Sequence, residues 1–256
     1  MTRSAATPTL AAMEVELPVT IERQPDYTTC GPTSLHAIYR YWGDPISLPT
    51  VIAETPKLPG GGTLGAHLAV HALKRGYEVD IWICNVRHVD PTWFQKPTDL
   101  RAKIKARAVA KGLLADPRYG PAVQSIEQFL DLGGRYHWGD LSPEFLGKQL
   151  SEGTPLLTGA NGTYLYQCSR ETEEGPDDVH GDSFGHFLVL CGYSSKDQSV
   201  AISDPLWDNP LHGTKYYRAS LWRFLGAVFL GVSSDDGNLM RIRPKDWQKR
   251  IPKRAK

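Results

Sequence analysis

The 256-residue chain lacks any apolar run of about twenty residues, so no membrane-spanning helix is expected. It has no G-x-x-x-x-G-K-[ST] loop to cradle nucleotide phosphates. Its four cysteines, Cys30, Cys84, Cys168 and Cys191, include no close pair and no C-x-x-C, which argues against a zinc knuckle or a disulfide framework. Residues 1–20 hold no apolar stretch unbroken by Thr, Pro or Glu14, so no secretory signal is expected, and a reducing cytoplasm is the expected compartment. A net charge of +1 gives no excess of one sign, and neither nucleic acid nor a membrane is an expected partner. No internal repeat or low-complexity segment is present.

What remains is ordinary globular usage, 41% hydrophobic and 22% charged. The length suits a single domain over 20–240 with a helical insertion at about 85–140. A flexible segment, 1–19, is expected before it and a solvated basic tail, 241–256, after it.

Within that frame one stretch stands out, Gln24-Pro25-Asp26-Tyr27-Thr28-Thr29-Cys30-Gly31-Pro32. The residues after the thiol predict a helix: Leu35, Ile38, Tyr39 and Trp42 recur at helical spacing, Pro32 suits the first turn, and Gly43 marks the exit. Cys30 then stands at a helix N-terminus, where unpaired N–H groups favour the thiolate, the form that attacks a carbonyl. Gln24 is placed to donate an amide N–H to the negative charge that develops in such an attack, beside the backbone N–H of Cys30. A thiolate nucleophile also needs a base and a group to orient it. His186 opens the apolar run Phe187-Leu188-Val189-Leu190-Cys191, which predicts a buried strand. Ser199-Val200-Ala201-Ile202-Ser203 predicts a second strand and ends at Asp204. The hairpin-sized loop between them makes the strands antiparallel and brings Asp204 toward the imidazole.

Three blocks, Gln24-x5-Cys30-Gly31-Pro32-Thr33, Gly185-His186-Phe187-x-Val189-x-x-Gly192-Tyr193 and Asp204-Pro205, resemble the signature blocks of the bacteriocin-processing (C39-like) cysteine peptidases, of papain-like fold. The resemblance implies Cys30 as nucleophile, His186 as general base and acid, Asp204 as orienting residue and Gln24 as oxyanion donor. The fold expected with it is α+β, an N-terminal helix carrying the cysteine packed on a C-terminal antiparallel sheet carrying His186 and Asp204. It looks like the stand-alone bacterial type, because no transporter sequence accompanies the three blocks. The activity it implies is hydrolysis of a peptide or amide bond through an acyl-thioester. A γ-glutamyl or aminoacyl transferase would use the same intermediate, and a silent peptide-binding module would use the same cleft.

Gly31, Gly61, Gly62 and Gly185 are expected to line the substrate cleft. Glu171, Glu173, Glu174, Asp177, Asp178 and Asp182 crowd the loop before His186 and would favour a basic substrate or dock the basic tail. Gly60-Gly61-Gly62-Thr63-Leu64-Gly65 fits G-x-G-x-x-G, but no strand precedes it, so no dinucleotide cofactor is expected. His67 and His71 have metal-ligand spacing without the glutamate of a zinc peptidase helix or a third ligand, and no metal is expected. Helices are also predicted over 63–75, 99–112 and 142–153, with a helical apolar stripe at 123–130. Strands are predicted over 77–84, 154–160, 163–168 and 227–232. Cys84 and Cys191 read as buried small hydrophobes.

Overall fold

The computed structural model describes residues 13–117, 119–211, 213–231 and 237–252. Residues 1–12 of the expected flexible segment, Val232 of the expected last strand and residues 253–256 of the expected tail lie outside them.

The elements run, in order, β1 (Glu14–Glu16), α1 (Cys30–Tyr41), α2 (Leu48–Glu54), α3 (Gly65–Lys74), β2 (Tyr77–Ile83), α4 (Leu100–Ala110), α5 (Tyr119–Asp131), β3 (Arg135–His137) and α6 (Pro143–Ser151). They continue β4 (Leu156–Asn161), α7 (Gly162–Tyr166), β5 (Glu171–Thr172), β6 (Gly175–Pro176), β7 (Gly185–Ser194), β8 (Ser199–Ser203), β9 (Tyr216–Ser220), α8 (Leu221–Leu230), β10 (Asn238–Pro244) and α9 (Trp247–Arg250). The fold is α+β. Among the described residues one sheet of eight strands has the order β3-β2-β10-β4-β7-β8-β9, with β1 paired to the far end of β7. All its pairings are antiparallel except β2 with β3, so the strands that carry His186 and Asp204 are antiparallel as expected while the sheet as a whole is mixed.

Helix α1 forms as its spacing predicts, but it is buried on nearly every side. Leu35, Ile38 and Tyr39 are fully buried and Trp42 almost so, and each such side chain removed from water contributes about 2 kcal/mol. The helix lies on β7, where the Ser34 hydroxyl donates to the Phe187 carbonyl at 3.1 Å.

Four stretches depart from expectation. Residues 163–168 and 227–232 were expected as strands; the first begins within α7 and the second within α8. Asn161 caps α7 by accepting the Tyr164 N–H at 2.8 Å, and that cap outweighs the strand preference of Thr163 and Tyr164. Glu14–Glu16 is a strand, its register set by β7. The expected tail begins inside β10, which sits between β2 and β4. Its charge is neutralised from a distance: Arg241 donates to Asp80 Oδ2 at 2.9 Å, and Asp80 also takes Arg135 at 2.8 Å and His137 at 2.6 Å. Arg241 therefore pairs with β2 and not with the acidic loop at 171–182.

Candidate functional site

The turn before Cys30 is tied by its own side chains. The Asp26 carboxylate accepts the Thr28 N–H at 2.8 Å and the Thr28 hydroxyl at 2.7 Å. The Asp26 carbonyl accepts the Thr29 hydroxyl at 3.0 Å and the Gln24 amide Nε2 at 2.9 Å. Cys30 follows as the first residue of α1, 8% exposed. As a first-turn residue its N–H has no acceptor within the helix. Ser34 stands one turn above it, on the same side of α1, and its bond to Phe187 sets that side against the start of β7.

His186 and Asp204 meet because of one extra residue. Near the hairpin loop, Ser194 pairs with Ser199 and Gly192 with Ala201, but Leu190 pairs with Ile202 and Val189 with Ser203. Cys191 is the bulged residue between these two registers. Without the bulge Asp204 would fall opposite Val189, on the face away from His186, since side chains alternate along a strand. With it, one further step of the ladder sets Asp204 opposite Leu188, the diagonal neighbour of His186 on the same face. The bulge is held from outside, with the Leu17 N–H donating to the Cys191 carbonyl at 2.8 Å.

At that position His186 Nε2 hydrogen-bonds Asp204 Oδ1 at 2.8 Å, with the two side chains 4% and 0% exposed. Nδ1 is the ring nitrogen left over, and Cys30 lies close enough to the imidazole to raise its proton affinity. Burial alone would lower the imidazole pKa, yet the Asp204 carboxylate and Cys30 raise it from 6.5 to about 10. Burial likewise opposes the Asp204 charge, but His186, Tyr217 and Tyr166 hold the carboxyl below its ordinary 3.8. The site therefore favours an imidazolium beside a buried carboxylate.

The structure joins His186 to Asp204 and sets Cys30 near enough to act on the imidazole. Gln24 is anchored to the same region, its N–H donating to the Pro205 carbonyl at 3.0 Å. Its Nε2 already donates one hydrogen to Asp26 and has a second to offer, while its buried Oε1 has no partner among the described residues. Gly61, at φ +86°, lies against the Thr28 methyl, and Gly62 follows at φ +72°. Gly185 opens β7 and is exposed. At Gly31 a Cβ would come within 2.6 Å of the Thr63 methyl, so the glycine lets α1 approach the core there. Two cavities lie among these residues. One of about 400 Å³ is lined by Gln24, Tyr27, Leu206 and Asp208, and one of about 350 Å³ by Leu58, Gly60, Gly61 and Pro117.

The other singled-out residues have structural partners. Among the described residues no group of three or more His, Cys, Asp or Glu is placed to hold a metal ion. His71 bonds the Tyr39 hydroxyl at 2.8 Å and Glu54 at 3.0 Å. The acidic loop forms the β5–β6 hairpin, and Asp177 is spent internally on the Val179 and His180 N–H groups, both at 2.8 Å. Cys191 is buried as expected, whereas Cys84 is only partly so. No helix among the described residues is long and apolar enough to cross a membrane.

Sequence reasoning missed two residues that touch Asp204, Tyr166 and Tyr217. Tyr217 left a signal, the alternation of Tyr216–Ser220 that marks β9. Tyr166 left none, because its helix was read as a strand.

No family model matches the chain, and no curated protein does. Solved structures similar to it include a C39-like peptidase from Bacillus anthracis, at 17% identity over 90% of this chain and 98% of that one, with a TM-score of 0.44. The peptidase domain of Streptococcus ComA, a bi-functional ABC transporter involved in a quorum-sensing pathway, matches at 16% identity over 89% and 99%, with a TM-score of 0.41. Xylellain, a cysteine protease from Xylella fastidiosa, matches at 12% identity over 90% and 85%, with a TM-score of 0.45.

Proposed function

We propose that the chain is a thiol-dependent hydrolase of the C39-like type that cleaves a peptide or amide bond at Cys30. The observation that carries this reading is the buried series Cys30, His186, Asp204, in which a carboxylate fixes one imidazole nitrogen and leaves the other to the thiol. His186 takes the thiol proton and becomes the imidazolium that Asp204 supports. The Cys30 sulfur attacks the carbonyl carbon, and the Cys30 N–H and the second Nε2 hydrogen of Gln24 receive the oxyanion. As the C–N bond breaks, the imidazolium returns its proton to the departing amine, which leaves a thioester on Cys30. Water, deprotonated by His186, then releases the acid. The cavities lined by Gln24 and by Gly61 supply room for substrate, and the carboxylates of 171–182 suit one with basic side chains.

Cys30→Ala tests the assignment. An activity-based thiol probe followed by peptide-library profiling should find turnover in the parent chain and none in the variant, with the fold retained by circular dichroism. Turnover that survives in Cys30→Ala refutes the reading. An iodoacetamide rate at Cys30 no faster than at an ordinary exposed thiol would favour the silent binding module instead.

A further inference from the structure

Two phenols hold the carboxylate that supports His186, and the chemistry above uses neither. Tyr166, at the end of α7, donates its hydroxyl to Asp204 Oδ2 at 2.7 Å. Tyr217, on β9, donates to the same oxygen at 2.6 Å. The other oxygen, Oδ1, takes His186 Nε2 at 2.8 Å and the Leu206 N–H at 2.9 Å. A carboxylate has about four lone-pair sites, so Asp204 has a donor for each while wholly buried.

Each donor has a consequence for the charge. Burial without partners drives a carboxylic acid toward its neutral form, and hydrogen bonds to the ionised form reverse that. The phenols are dependable donors, because burial and the Asp204 charge push both their pKa values far up and keep them protonated. The titratable groups facing Asp204 are His186 from β7, Tyr166 from α7 and Tyr217 from β9, with Cys30 from α1 acting through His186. Donors arriving on Oδ2 from two separate elements also fix the plane of the carboxylate, which aims Oδ1 at the imidazole.

We propose that Tyr166 and Tyr217 are positioning residues that keep Asp204 ionised and in plane, so that its charge goes on supporting His186 on the acid side of the working range. The assignment rests on the Cys30–His186–Asp204 reading of the site. Losing one donor raises the proton affinity of the carboxylate, and a hydrogen bond to a charged group is strong enough to move its titration by about one pH unit.

The test uses the full chain with Tyr166→Phe, Tyr217→Phe and both together, each of which keeps the ring and removes only the hydroxyl. The Asp204 carboxyl carbon and the His186 ring nitrogens are titrated by NMR, and the pH dependence of kcat/KM is measured beside them. Each single variant should move the Asp204 midpoint and the acid limb of the profile up by about one pH unit, and the pair further. Midpoints that coincide with the parent, even with a lowered melting temperature, reduce the tyrosines to packing and overturn the proposal. If the double variant does not fold, the single variants decide by the same criterion. The NMR titration needs no turnover, so a failure of the tyrosine assignment is distinguishable from a failure of the hydrolase reading, which Cys30→Ala tests separately.

Discussion

Replacing Asp204 by Asn removes a charge and keeps a shape. The amide oxygen can still accept His186 Nε2, and the tyrosine hydroxyls can rotate to accept from the amide, so the imidazole stays oriented. What disappears is the larger part of the attraction that, together with Cys30, lifts the His186 pKa from 6.5 to about 10 against its burial. One step in pKa is worth ~1.36 kcal/mol, so that lift corresponds to a few kcal/mol, on the order of 5. A raised folded pKa contributes stability that is fully present below the unfolded value of 6.5 and is lost as pH rises through about 10. Asp204 is depressed below 3.8, so its own contribution is present above that value and fades as pH falls beneath it. The variant should therefore be less stable than the parent by several kcal/mol between about pH 4 and 6.5, with the two curves converging toward pH 10. In the same variant, with burial unopposed by the carboxylate, the imidazole should titrate below 6.5. Urea denaturation across pH 4 to 10, with NMR titration of the His186 ring, measures both. A stability difference that does not change with pH, or an imidazole that still titrates near its parent value, would refute the electrostatic account of the site.

Gln24→Ala should lower kcat by about 10²- to 10³-fold if its free Nε2 hydrogen meets the oxyanion, while the iodoacetamide rate at Cys30 stays near the parent value. A matching fall in alkylation would show instead that Gln24 acts by shaping the turn at Asp26. Asp80→Ala should cost about 3 kcal/mol in denaturant melts at pH 7, because it strands the largely buried Arg241. The cost sits at the low end of what such pairs show, since Arg135 is half exposed and can turn to water. The Asp80 carboxyl is held far below 3.8 by His137, Arg135 and Arg241 against its burial, so its contribution is present above 3.8 and the two chains should converge as pH falls well below it. A difference under about 1 kcal/mol at pH 7 would contradict the network's role in anchoring β10.

The parts of this site that could be read from the sequence are those whose chemistry is announced locally. A thiol at a helix start needs only the apolar spacing of Leu35, Ile38 and Trp42 and the Pro32 beside it, and a histidine at the head of an apolar run marks its own strand. The parts that stayed hidden depend on what lies across the fold. Arg241 and Arg243 made β10 look like a solvated tail, because the Asp80 that neutralises Arg241 is far away in sequence. Ala227–Leu230 looked like a strand because a short apolar run has no period to distinguish it from a buried helix, and α8 is apolar enough to be both. The meeting of His186 with Asp204 is the sharper case. The hairpin loop correctly predicted antiparallel partners, but an unbroken register from Ser194 and Ser199 puts the two side chains on opposite faces. Nothing in Leu190-Cys191-Gly192 declares a bulge to a reader of the chain alone; it follows from the neighbours, with Leu17 bonding the Cys191 carbonyl and Gly192 lying close to the Val15 carbonyl, where a Cβ would stand at 2.8 Å. The strand from the start of the chain thus takes part in aligning an imidazole and a carboxylate that it does not touch, since closing the bulge by one residue would turn Asp204 away from His186 and leave the thiol with an unsupported base.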